Sequence, residues 1–124
     1  NLIIINSFGI LSNYFSISDI VFLGGSLISA GGHNPIEPAV HKCAILTGPQ
    51  LFNWENIYDD MEKNNACLKI NSLEDFEESI RNLLDNKNKI EILKTNAYKF
   101  SQKQFVDTNF LVSIIDSHMK IKPC

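Results

Sequence analysis

Short apolar runs alternating with helical patterns predict an α/β fold built on a Rossmann-like parallel sheet. Two further observations sharpen that prediction. The runs Leu2–Ile5, Ile20–Leu23 and Ala44–Thr47 are continuously apolar, or nearly so, rather than alternating, as in strands buried on both faces. The loop that follows the second run is rich in glycine and ends on a full set of helix-start signals. With 124 residues the chain is expected to form one domain, residues 1–124, able to bury a core without disulfides or a structural metal. Residues 1–70 carry the strand and helix repeats with the glycine loop, and residues 71–124 read as C-terminal helices.

The elements follow in order. Leu2–Ile5 is predicted as the first strand. Ile10, Leu11, Tyr14, Phe15 and Ile17 recur at helical spacing, so a short helix is expected over Gly9–Ile17. Ile20–Leu23 is the second strand. Asn34 suits a helix N-cap, Pro35 the first helical position, and Glu37 the place from which a carboxylate reaches back to the cap. Ala44–Thr47 is the third strand, closed by Gly48-Pro49. A helix from an Asn53 cap to about Glu62 places Trp54, Ile57, Tyr58 and Met61 on one face. Ala66–Ile70 is a fourth strand. Ser72 caps a helix to about Leu84, a second helix runs from Lys87 to Phe105, and a last one covers Asn109–Met119.

Composition excludes several classes. Hydrophobic residues make up 44% and charged residues 20%, with six Gly and four Pro, so the chain is neither disordered nor collagen-like. A net charge of −3, with Arg81 the single arginine, leaves no basic footprint for nucleic acid. No apolar run is long enough to span a bilayer. Three cysteines without a CxxC spacing point to a reducing compartment, with Cys43 and Cys67 as small buried hydrophobes. His41 and His118 have no Cys, Asp or Glu at ligand spacing, so neither a metal nor a cofactor is expected. Asp59-Asp60 and Glu74-Asp75 read as solvated helix faces. The chain opens directly on an apolar strand, as a piece cut from a longer protein would.

The chemistry concentrates between Gly24 and Glu37. In open α/β sheets ligands bind beyond the carboxyl ends of the strands, where this loop falls. Gly24, Gly25, Gly31 and Gly32 let backbone N–H groups approach an anion, and the helix start at Pro35 aims further N–H groups at the same spot. Gly25, Ser26, Gly31, Gly32 and His33 are therefore candidates for a phosphate loop. The pattern is neither a Walker A loop nor a GxGxxG fingerprint. Glu37 has two readings, a capping residue or a carboxylate that accepts from a ribose. Ser7-Phe8-Gly9 offers a second, weaker glycine site between a strand and a helix.

The string Gly24-Gly25-Ser26, followed by Gly31-Gly32-His33-Asn34-Pro35-Ile36-Glu37-Pro38-Ala39, resembles the transferases that attach 3-deoxy-D-manno-octulosonic acid (Kdo) to lipid A. Their motif reads roughly GGS, a few residues, then GGHNPLEP. Ser18–Leu23 and Ala44–Phe52 resemble the flanking family segments, and the likeness weakens in the C-terminal helices. The resemblance implies a GT-B glycosyltransferase, two Rossmann-like halves facing a cleft, of which this chain is part of the C-terminal, donor-binding half. Asn34, Pro35, Ile36 and Glu37 match the segment that lines the CMP site. Phe8, Gly9 and Ile10 match a second CMP segment, although Ile10 stands where the family often has Glu.

The same resemblance implies CMP-Kdo as donor and a lipid A precursor as acceptor, the acceptor being held by a domain outside this chain together with the catalytic base. It places the intact enzyme in lipopolysaccharide biosynthesis, at the cytoplasmic face of the bacterial inner membrane. Two alternatives stand beside it: another GT-B transferase using a UDP- or GDP-sugar, and a non-catalytic fragment. In the doubly wound strand order, Leu2–Ile5 and Ile20–Leu23 are not neighbours, so an exposed sheet edge or self-association is expected.

Overall fold

The computed structural model describes residues 2–105, 112–115 and 117. Eight elements follow one another: α1 (Leu11–Phe15), β1 (Ile20–Leu23), α2 (Ile36–Val40), β2 (Ala44–Thr47), α3 (Glu55–Lys63), β3 (Leu68–Lys69), α4 (Leu73–Asp85) and α5 (Lys87–Gln104). The three strands form a parallel sheet in the order β1-β2-β3, with Ile20 opposite Ala44 and Leu46 opposite Leu68. This is the α/β architecture expected from the alternating pattern. The expected last helix lies mostly outside the described residues, as do His118 and Cys124, although residues 112–115 are helical.

The sheet is covered on both faces. From β2, Ile45 joins Ala39, Tyr58, Met61 and Phe100 in one cluster, while Ala44 and Leu46 join Leu83 and Leu93 in the other. Because successive strand residues point to opposite faces, an apolar run with no polar alternation is what such a central strand requires. All four residues of β2 are buried. Each large aliphatic side chain removed from water there contributes about 1.5–3 kcal/mol. Cys43 and Cys67 are buried and unbonded to one another, as small apolar residues would be. Burial pushes the Cys67 thiol up to about 12 and also raises that of Cys43.

Helix ends follow local chemistry. The Ser72 hydroxyl accepts from the Asp75 amide at 3.1 Å and starts α4. Asn86 ends that helix and caps the next, accepting from the Lys89 amide at 3.2 Å. Asn53 does not cap α3. Trp54 occupies that position, and Asn53 turns instead to the glycine loop, where its side chain donates to the Ala30 carbonyl.

One predicted strand is absent. Leu2–Ile5 is not a strand; Leu2 is 88% and Ile4 85% exposed. A strand exists only through hydrogen bonds to a neighbour, and β1, with β2 on one side, has its other edge open. The fourth strand is shorter than its apolar run. Only Leu68 and Lys69 enter the ladder, although Ala66, Cys67 and Ile70 are buried.

Candidate functional site

A cleft of about 500 Å³ opens beside the carboxyl end of β1. Its apolar wall comes from Leu11, Tyr14 and the strand itself, and its polar side from Gly24, His33, Asn34 and Glu37. A larger cleft of about 620 Å³ lies against the segment that enters β1. Two of its three lysines are engaged, Lys94 with Asp19 at 2.7 Å and Glu91 at 3.1 Å and Lys42 4.8 Å over the Tyr98 ring, and it lies away from the glycine loop and the helix start at the carboxyl end of β1. The cleft at the carboxyl end is therefore the candidate site.

The loop that forms its polar side is locked from below. The Ser26 hydroxyl donates to the Leu23 carbonyl at 2.6 Å and accepts from the Gly48 amide at 2.8 Å. The Ser26 carbonyl accepts from the Gln50 amide at 2.8 Å. Ser26 is completely buried, so its hydroxyl orders the loop and is not offered to a ligand. The Gly32 amide is likewise spent on the Gly25 carbonyl at 3.1 Å. Gly31 has φ of +87°, and a Cβ there would strike the side chains of Asn53 and Phe52, so no other residue fits.

Beyond Gly32 the chain turns into α2. Asn34 Oδ1 accepts from the Ile36 amide at 2.9 Å, which is the expected capping bond, and Pro35 carries helical dihedrals. The helix has only five residues, so its dipole is small, and what it presents is free N–H groups rather than a strong field. Among the described residues, the backbone amides of Gly31, His33 and Asn34 donate to no other group. Pro35 is buried and Ile36 packs on the core, so both shape the loop without reaching the cleft. Glu37 is exposed on the cleft wall, and among the described residues its carboxylate makes no hydrogen bond or ion pair. The reciprocal half of a capping box is therefore not formed.

The second predicted segment lies apart from this wall. Phe8 is fully exposed, Gly9 has φ of +79°, and Ile10 precedes α1 at its N-cap. None of the three lines the cleft, although Leu11 and Tyr14, which follow directly, do. Helices α1 and α2 are joined by Ser12 Oγ and His41 Nε2, 2.8 Å apart. No Lys or Arg lines the cleft, and among the described residues no group of three or more His, Cys, Asp or Glu gathers to hold a metal. No described helix is long and apolar enough to cross a membrane.

Two features escaped the sequence reading. Tyr58, read as an apolar face residue, sends its hydroxyl to the His33 carbonyl at 2.9 Å. A tyrosine at a fully buried position needs a partner, and that need was the available signal. Asp59, read as solvated, instead shares Lys69 with Glu62, each at 2.9 Å. Lys69's hydrogen bond, more than its field, holds the Asp59 carboxyl below the usual range. Burial pulls the Lys69 ammonium down, but the two carboxylates more than offset it and leave it raised.

A parallel sheet covered on both faces, with a glycine loop and a helix start at the carboxyl end of a strand, defines a Rossmann-like α/β unit with a candidate ligand site at that end. No family model matches the chain. It is 38% identical over 95 residues to the 3-deoxy-D-manno-octulosonic acid transferase of Haemophilus influenzae, covering 76% of this chain and 22% of that one. It is 34% identical over 121 residues to the transferase of the same name from Rickettsia typhi, covering 97% and 25%. The C-terminal CMP-Kdo binding domain of WaaA from Acinetobacter baumannii superposes with a TM-score of 0.74 at 31% identity, covering 79% of this chain and 51% of that one. The chain is thus similar to one part of the 3-deoxy-D-manno-octulosonic acid transferases. It spans about a quarter of the length of those two relatives and about half of the solved domain.

Proposed function

We propose that the chain is the donor-binding part of a Kdo transferase and that it holds the CMP moiety of CMP-Kdo in the cleft beside β1. The free amides of His33 and Asn34, which line the cleft, would meet the phosphate, with the His33 ring, which lies against Gly25, as a further donor and with Gly31 shaping the loop behind them. The Glu37 carboxylate would accept from the ribose hydroxyls. Gly25 and Gly32 shape the loop, and Phe8–Ile10 would close on the nucleotide from the α1 side. The single observation that carries this reading is the pairing of unspent amides with an unpartnered carboxylate on one cleft wall at the carboxyl end of a strand.

In the whole enzyme, CMP would leave as Kdo moves to a lipid A precursor with inversion. Amides already aimed at the phosphate would stabilise the charge that develops on it without reorganising. The acceptor, the catalytic base and the contact with the inner-membrane surface belong to the remainder of such a protein, so the chain alone is expected to bind and not to turn over.

The test is a titration of the ¹⁵N-labelled chain with CMP, followed by amide NMR, with UMP as control. Shifts confined to Gly31–Glu37 and to the residues around Gly9, with CMP only, are the expected result. A dispersed spectrum indifferent to both nucleotides would remove the donor-binding role from this chain.

A further inference from the structure

We infer that Tyr58 is a positioning residue for the anion-binding loop: its buried hydroxyl holds the His33 carbonyl so that the amide of Asn34 faces the cleft. This rests on the nucleotide reading above and deepens it. Tyr58 lies on α3, its side chain is completely buried, and it packs in one cluster with Leu23 of β1 and Ile45 of β2. Its hydroxyl donates across 25 positions of sequence to the one residue where the glycine loop turns into α2.

The peptide plane explains why that bond matters to a ligand. Fixing the His33 carbonyl fixes the Asn34 N–H, because the two belong to one planar peptide group and point in opposite directions. With the carbonyl drawn inward to Tyr58, the amide of the same peptide is directed away from the core. On the other side of the loop, the Gly31 carbonyl accepts from the Asn53 amide at 3.3 Å while the Gly32 amide of the same peptide donates to the Gly25 carbonyl, so this peptide is fixed at both ends within the loop. The two anchors come from one segment, the β2–α3 connection and its helix.

The hydroxyl has a second polar neighbour, Thr47. Thr47 Oγ1 is buried beside it without completing a hydrogen bond of standard geometry. Tyr58→Phe should therefore release the loop while leaving the packing of α3 intact. Thr47→Val removes the adjacent hydroxyl and keeps the Tyr58–His33 bond, so it reports any general effect of altering this part of the core.

The experiment compares the wild-type chain with Tyr58→Phe and Thr47→Val by NMR and by CMP titration. In Tyr58→Phe the His33 carbonyl carbon and the Asn34 amide should shift or broaden, and CMP affinity should fall roughly five-fold. Thr47→Val should leave both as in the wild type. Unmoved loop resonances in Tyr58→Phe would overturn the positioning role, as would a loosened loop that binds CMP with unchanged affinity. An equal effect from Thr47→Val would assign the change to the core instead. A wild-type chain that ignores CMP would overturn the nucleotide reading and this role in serving it, a failure distinguishable because the loop resonances still report separately on the Tyr58 bond.

Discussion

Ser26 and Gly48 are locked to each other. The Gly48 amide donates to the Ser26 hydroxyl at 2.8 Å, and the Ser26 carbonyl passes so close to the Gly48 Cα that a Cβ there would collide with it. The glycine loop is thereby fastened to the end of the central strand. Ser26→Ala should cost about 1–3 kcal/mol, because a buried donor loses its partner. Gly48→Ala should destabilise too, since the obstacle is backbone and cannot swing aside. Urea unfolding midpoints of both variants check this, and a midpoint for Ser26→Ala equal to that of the parent would refute the fastening role.

What the sequence revealed and what it hid divide along the range of the interaction. The bounds of β1 and β2 were visible because burial on both faces leaves a continuous apolar run. The caps at Asn34 and Ser72 were visible because donor and acceptor lie two and three residues apart. The partners of the Ser26 and Tyr58 hydroxyls were hidden because they lie 22 and 25 residues away, and only the folded sheet brings them together. Leu2–Ile5 shows the converse. Its residues favour a strand, but a strand also needs hydrogen bonds to a neighbour, and Leu2–Ile5 does not pair with the open edge of β1.

The Asp19–Lys94 pair sets an acid limb. Lys94's hydrogen bond, with its charge, holds the Asp19 carboxyl below the ordinary 3.8. A carboxyl lowered by folding stabilises the native state above its unfolded value, and that contribution is lost as pH falls through the lowered one. Stability should thus decline on acidification below 3.8, and Asp19→Asn should reduce the decline. The effect is expected to be small, because Asp19 is largely exposed and solvent screens the pair. Thermal midpoints across pH 2–6 (roughly the window in which carboxylates titrate) provide the measurement, and identical profiles would count against the pair.

The two buried thiols should be inert. Cys67 is pushed up to about 12 and Cys43 is also raised, both chiefly by burial, so almost no thiolate forms near neutral pH. Peptide mapping after iodoacetamide treatment should show Cys43 and Cys67 unmodified in the native chain and fully alkylated in urea. Rapid native labelling of either would mean that this part of the core opens readily.

Two substitutions in the loop separate its framework from its chemistry. Gly31→Ala places a side chain where φ is +87° and where Asn53 and Phe52 leave no room, so the loop must shift and CMP binding should be lost. Glu37→Gln keeps the size of an exposed side chain and removes only its charge, so the fold should persist while CMP affinity falls roughly ten-fold, as for the loss of a charged hydrogen bond. Calorimetric titration with CMP, beside a check of amide dispersion, distinguishes the two. If Glu37→Gln binds CMP as well as the parent, the carboxylate does not touch the ribose. If Gly31→Ala does so, the anion is held elsewhere and the loop is only a connection between β1 and α2.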